Sequence, residues 1–162
     1  MDADSIISKL KMRKHPEGGY YHEFYRSREK IPFSMDQEEH RNLSTSVYFL
    51  LKSGETSAFH QLMSDEIWYF HKGSPLRVYC ITNDNVLETY IFGNDISRDE
   101  SPQILFPAGT IFGAEVIEKN SYCLFGCMVS PGFDFNDFKL FSFNELKKNF
   151  PQYHDIINKL CK

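Results

Sequence analysis

The sequence predicts an all-β domain, a sandwich or jelly roll, and three observations carry that reading. Apolar runs of strand length alternate with turn signals at short intervals between Leu43 and Val129. Aromatic residues are abundant, with 15 Phe, 9 Tyr and one Trp, and such side chains suit pleated surfaces and pocket walls. Helix signals stand near the two ends of the chain. A length of 162 residues suits one domain, residues 1–162 with a core over about 15–151, that buries roughly 68–70% of its unfolded surface without a covalent staple.

In chain order, Asp4 or Ser5 can cap a short helix whose Ile6, Ile7 and Leu10 form an apolar stripe opposite Lys9, Lys11, Arg13 and Lys14. His15-Pro16-Glu17-Gly18-Gly19 stops it, because proline cannot continue a helix and paired glycines permit a tight turn. The strand YYHEFYR from Tyr20 has aromatics on both parities, which gives it two apolar faces and makes it a candidate dimer contact. Residues 29–42 are polar, contain Pro32 and read as a mobile surface loop. Leu43 to Lys52 reads as a central strand.

Further strands are expected at Ser57–Leu62, Ile67–His71, Leu76–Thr82, Val86–Phe92, Gln103–Phe106, Thr110–Val116 and Tyr122–Val129. Asn83-Asp84-Asn85 suits a hairpin turn, and the acidic stretch 93–101 an exposed loop. The phenylalanines of FDFNDFKLFSF are expected to plug one open end of the barrel. Ser142-Phe143-Asn144-Glu145 has the form of a capping box, and Pro151 opens a second short helix with Tyr153, Ile156, Ile157 and Leu160 facing the body.

The formal charge of −4 comes from 18 basic and 22 acidic residues spread without a basic stripe, which argues against nucleic acid as a partner. No apolar run approaches the ~20 residues of a membrane span or forms a signal peptide, so a soluble, cytoplasmic protein is expected. Cys123 and Cys127 lie four strand steps apart, about 13 Å, beyond the ~7 Å reach of a disulfide. With Cys80 and Cys161 they read as reduced thiols.

The stretch from Gly54 to Gly73, GETSAFHQLMSDEIWYFHKG, concentrates candidate chemistry in His60 and Glu66. Its Gly54, His60, Glu66 and Gly73 stand at the spacing of the first motif of the cupins, and Pro107-Ala108-Gly109 resembles the Pro-x-Gly of the second. Together with HPEGGYY, YFLL, SDEIWYF and PGFDF they make the chain resemble the cupin superfamily, in the branch called cupin five. The resemblance implies a double-stranded β-helix, the cupin jelly roll, with a short N-terminal helix and C-terminal helices, and it implies a homodimer. It also implies a metal centre of three histidines and a glutamate, of which this chain keeps His60 and Glu66. Leu62 and Phe112 occupy the other two motif positions, so no metal or other cofactor is expected. If a metal binds at all, His60 and Glu66 hold it, with a residue such as His22 or His71 recruited.

A distant resemblance to metal-free sugar-nucleotide epimerase cupins, such as the dTDP-4-dehydrorhamnose 3,5-epimerases, implies a His base with an Asp partner and a Tyr acid. The His alone has a counterpart, His60.

A catalytic metal needs about three protein ligands, whereas a lone His and Glu in a dry cavity acquire shifted pKa values and can exchange protons with a ligand. His60 and Glu66 are therefore the candidate catalytic pair. Glu66, Trp68 and Phe70 share one strand face by the two-residue period, so Trp68 reads either as a stacking platform for a flat or sugar-like ligand or as barrel filling. Phe112 dries the cavity wall. Arg77 and Tyr79 alternate on one strand and either grip an anionic group or face solvent. Glu17 either covers the pocket mouth or is an ordinary turn acid, Asp134 carries the same ambiguity, and Thr45 lines the cavity or the core. Three functions remain open: a metal-independent isomerase or epimerase of a polar sugar- or nucleotide-derived compound, a non-catalytic metabolite-binding module, and a metal-dependent enzyme with a reduced ligand set.

Overall fold

The computed structural model describes residues 1–33 and 39–161. In chain order its strands begin with β1 Arg13–Lys14, β2 Tyr20–Arg26, β3 Lys30–Pro32, β4 His40–Asn42, β5 Thr45–Lys52, β6 Thr56–Leu62 and β7 Asp65–Gly73. They continue with β8 Leu76–Ile81, β9 Leu87–Phe92, β10 Gln103–Phe106, β11 Ile111–Val116, β12 Tyr122–Ser130 and β13 Phe138–Leu140. Three helices, α1 Ala3–Lys9, α2 Phe143–Asn149 and α3 His154–Leu160, lie at the two ends of the chain.

A six-stranded sheet runs β1-β2-β5-β12-β7-β10 and a five-stranded one β13-β6-β11-β8-β9, with every strand pair within them antiparallel. Inward-facing residues of both sheets meet in one core: Phe49, Trp68, Phe125 and Cys127 from one, Val78, Cys80, Phe92 and Phe112 from the other. This is the jelly-roll arrangement, in which each sheet buries one parity of its side chains against its partner.

The opposite parity of the five-stranded sheet buries against α2 and α3. Phe59, Tyr79, Ile81 and Ile111 pack there with Leu146, Ile157 and Leu160. On the other side of the molecule, Ile6 of α1 and Met12 pack on Leu50. Ser142 and Glu145 form the expected capping box at the start of α2, and a 3-10 turn over Pro151–Tyr153 leads into α3.

Two local expectations are corrected. The first helix is capped by Asp2, whose side chain accepts a 2.8 Å hydrogen bond from the Ser5 amide, because the helix begins at Ala3, two or three residues earlier than a cap at Asp4 or Ser5 would set it. The expected loop over 29–42 contains β3 and β4, paired Lys30↔Asn42 to Pro32↔His40. Pro32 is tolerated at the end of that ribbon, and residues 34–38 of the expected loop lie outside the described residues. All four cysteines are free, with Cys80, Cys123 and Cys127 buried. Among the described residues no helix is long and apolar enough to cross a membrane.

Candidate functional site

Strand alternation on β6 decides where the site lies. Phe59 points outward into the helical layer, so His60 and Leu62 point inward and line a cavity of about 320 Å³ between the two sheets. Glu66 enters from β7 on the opposing sheet. The third contributor is the turn between β1 and β2, which delivers His15 and Glu17. Gly18 and Gly19 take φ of 119° and 68° there, and a Cβ on Gly19 would stand 2.7 Å from the Leu50 carbonyl oxygen. Glycine alone lets the turn press on β5. The Ala58 amide donates to the Glu17 carbonyl at 2.9 Å, which fixes the turn on β6 as well.

Glu17 is the hub. The Ser57 hydroxyl donates to its Oε1 at 2.8 Å, while Oε2 lies 3.2 Å from His15 Nδ1 and 3.4 Å from His60 Nε2. Burial works to raise the Glu17 carboxyl, but His60, His15 and the Ser57 hydrogen bond outweigh it and hold its pKa below the ordinary value. His60 Nδ1 lies 2.8 Å from the Ala58 carbonyl oxygen. A carbonyl can only accept, so Nδ1 carries a hydrogen and Nε2 is the ring nitrogen that faces Glu17. Burial pushes the His60 pKa down, against the pull of Glu17. The 3.4 Å separation between Nε2 and the Glu17 carboxylate is long for an N–H···O bond. The two groups face each other across the cavity and together form one proton-accepting unit.

Glu66 is tuned the other way. Burial first, and the nearby Glu17 charge second, raise its pKa to about 8, although Trp68 Nε1 donates to its Oε1 at 2.8 Å. At neutral pH the cavity therefore holds one ionised and one protonated carboxyl group. Opposite protonation of two carboxyls in one site is the pattern of an acid and base pair.

One wall is aromatic. His15 is ringed by Tyr21, Phe49, Phe133, Phe135 and Phe138 at centroid distances of 4.8 to 6.3 Å. Of the phenylalanines expected to plug a barrel end, Phe133, Phe135 and Phe138 instead form the side of an open cavity, with Phe135 half exposed at its mouth, while Phe141 and Phe143 pack in the helical layer. Arg41 fastens their segment to β4, donating from Nε and Nη2 to Asp137 at 2.6 and 2.8 Å. The rim carries Arg13, Glu23, Arg26 and Asp134. Arg26 donates to both oxygens of Glu23 at 2.9 and 2.7 Å, and also to Asn42 Oδ1 and the Phe133 carbonyl.

Of the residues singled out in the sequence, His60, Glu66, Glu17 and Thr45 come together on this cavity, as does Asp134. Thr45 Oγ1 also accepts from the Phe133 amide at 3.0 Å. The others lie elsewhere. Trp68 shares the inward face with Glu66, but its ring is 1% exposed and packs on Phe92, Phe106, Phe112 and Phe125. It stands behind Glu66 as a hydrogen-bond donor and offers no stacking face to a ligand. Phe112 stacks on Phe106 at 4.0 Å and meets the His60 ring edge-on at 4.2 Å, closing the cavity from behind. Arg77 and Tyr79 point outward, because Val78 and Cys80 take the core parity. The Tyr79 hydroxyl donates to Glu115 at 3.1 Å, and Arg77 lies 3.9 Å from the same carboxylate. Phe70 packs against the core and borders a separate open depression shared with Arg77.

Sequence reasoning missed His15, Ser57, Cys127 and the roles of Tyr21 and Phe49. The available signal was His15 standing two residues before Glu17, a spacing that lets both side chains meet across a tight turn.

The side chains present do not fit a cupin metal centre. Leu62 and Phe112 are apolar where ligands would stand, and His22 and His71 do not line the cavity. Among the described residues no group of three or more His, Cys, Asp or Glu is placed to hold a metal ion.

The family model described as "Cupin superfamily (DUF985)" matches residues 4–141. Protein SO0799 from Shewanella oneidensis shares 42% identity at a TM-score of 0.89, with 100% of this chain and 98% of that one covered. A hypothetical protein from Leishmania major shares 34% identity at a TM-score of 0.92, with 99% of both chains covered. Oxalate decarboxylase from Bacillus subtilis shares the fold at a TM-score of 0.59 and 20% identity, over 91% of this chain and 36% of that one.

Proposed function

This chain belongs to the Cupin_5 family of the cupin superfamily, and from that premise we propose that it is a metal-independent acid–base enzyme that isomerises or epimerises a small polar compound in the barrel cavity. The observation that carries this reading is the pair of buried carboxyl groups on one cavity, Glu17 kept ionised by Ser57, His15 and His60, and Glu66 kept protonated beside Trp68. A general acid with a pKa near the working pH transfers its proton most effectively.

The step balances without a cofactor. The Glu17–His60 acceptor takes the proton from a carbon beside a carbonyl, while Glu66 gives its proton to the carbonyl oxygen, leaving a neutral enol. Return of the first proton to the former carbonyl carbon, with Glu66 recovering a proton from the neighbouring hydroxyl, gives the isomer; its return to the opposite face of the original carbon, with Glu66 recovering the enol proton, gives the epimer, and either course restores both side chains. Cavity size refines the substrate: about 320 Å³ is the low end of the range for small-molecule sites, which suits a single sugar or comparable compound better than a sugar nucleotide.

The test is exchange of substrate carbon-bound hydrogen with deuterium from solvent, followed by NMR over a panel of small hydroxy-carbonyl compounds. Exchange is expected to fall roughly 10²–10⁴-fold in Glu17→Gln and in Glu66→Gln. A compound that binds and is recovered without exchange from the wild-type protein would replace the enzyme with a metabolite-binding module.

A homodimer belongs to the same proposal, supported by Phe24 and Tyr25 at 69% and 49% exposure on β2. Phe24→Asp is expected to yield a monomer in sedimentation, and a wild-type monomer at micromolar concentration would remove the dimer.

A further inference from the structure

The cavity has two cations at its rim, and they are differently placed. Arg26 is held by the Glu23 carboxylate, Asn42 and the Phe133 carbonyl. Arg13 has no carboxylate within ion-pair distance among the described residues. Its guanidinium lies over the Tyr21 ring, 4.9 Å from the centroid. Tyr21 meets His15 edge-on at 4.8 Å, and His15 lies 3.2 Å from Glu17. A cation at the rim is thus set on a rigid aromatic side chain that leads to the acid–base floor. A guanidinium so oriented keeps its fork of N–H donors for a planar or tetrahedral anion.

We propose that Arg13 anchors the anionic group of the substrate, which makes the substrate class a small hydroxy- or oxo-compound bearing one carboxylate or phosphate. The inference rests on the acid–base reading for what happens at the other end of the ligand. The unionised end enters the cavity, where a second negative charge would meet Glu17. The charged end stays at the rim, where it remains partly hydrated and gains a charge-assisted contact.

The test follows the arginine Nε–H signals of the ¹⁵N-labelled full chain during titration with acetate, inorganic phosphate and, as a neutral control, glycerol. The Arg13 signal is identified by its loss in Arg13→Lys. It is expected to move saturably with at least one anion, with half-saturation below roughly 10 mM, and to ignore glycerol. Backbone amides of Tyr21 and Glu17 should follow the same curve, weakened about tenfold or more in Arg13→Gln and less in Arg13→Lys. A response to acetate alone assigns carboxylic acids, and a response to phosphate alone assigns phosphate monoesters. Absence of saturation with both anions, an equal response to glycerol, or unchanged amide curves in Arg13→Gln overturns the proposal. Glu66→Gln must keep the anion response, so a protein that binds anions yet exchanges no hydrogen retains the anchor and loses the acid–base reading.

Discussion

Replacing Glu66 by Gln is expected to remove a specific slope from the stability of this protein against pH. The folded-state pKa of Glu66 is about 8, against an ordinary 4.5. Between those values the folded chain keeps a proton that the unfolded chain has lost, so stability falls as pH rises and levels off above pH 8. His60 has the opposite sign. Its lowered pKa means that the unfolded chain binds the extra proton, and stability rises with pH, but only below the ordinary 6.5. Glu17, also lowered, acts below 4.5. The buried thiols, with Cys161 pushed up to about 11 and Cys80 to about 12, act above the ordinary thiol value of 9.0. Glu66 is the shifted group whose range spans pH 6.5 to 8. One and a half pH units at about 1.4 kcal/mol each give a loss of about 2 kcal/mol, or roughly 4–8 °C in Tm for a chain of this size. The amide of Glu66→Gln still accepts from Trp68 but cannot ionise. Urea unfolding at pH 6.5 and 8.0 should show the loss in the wild type and a flat response in the variant. An equal slope in both proteins, or none in the wild type, would refute the assignment of a buried neutral Glu66.

Other perturbations follow from the same contacts. Trp68→Phe removes the 2.8 Å donor that lowers the Glu66 pKa, so the falling limb is expected to extend above pH 8 in the same urea series. Arg41→Met strands the Asp137 carboxylate, whose side chain is 7% exposed, and should cost about 3–5 kcal/mol; adding Asp137→Leu should recover most of it. Ser142→Ala breaks the capping box of α2 and should lower stability by about 1 kcal/mol, read by thermal unfolding.

The fold was legible because its strands are short, apolar on a two-residue period and separated by glycine, asparagine and proline turns. His60 and Glu66 were legible from their spacing to Gly54 and Gly73. Periodicity placed Trp68 and Glu66 on one face correctly, yet a face is not a cavity. Phe106, Phe112 and Phe125 fill the inner space beside Trp68, and no local pattern shows where packing ends and open space begins. Arg77 and Tyr79 carry the same lesson in reverse, since their shared parity was clear and its outward direction was not. Glu17 was visible as a turn acid, but its grip on His60 joins residues 43 positions apart in sequence. The phenylalanines after Pro131 read as a plug because spacing cannot distinguish a closed end from a wall. The β3–β4 ribbon escaped notice because short polar strands have no apolar face to reveal them.

The split protonation of Glu17 and Glu66 is the claim on which the functional account stands, and ¹³C NMR of the glutamate carboxyl carbons tests it most directly, with Glu17→Gln and Glu66→Gln to assign the signals. The expected result is one carboxyl titrating near pH 8 and lost in Glu66→Gln, and another titrating below 4.5 and lost in Glu17→Gln. Two carboxyls titrating together near the ordinary value of 4.5 would contradict the account.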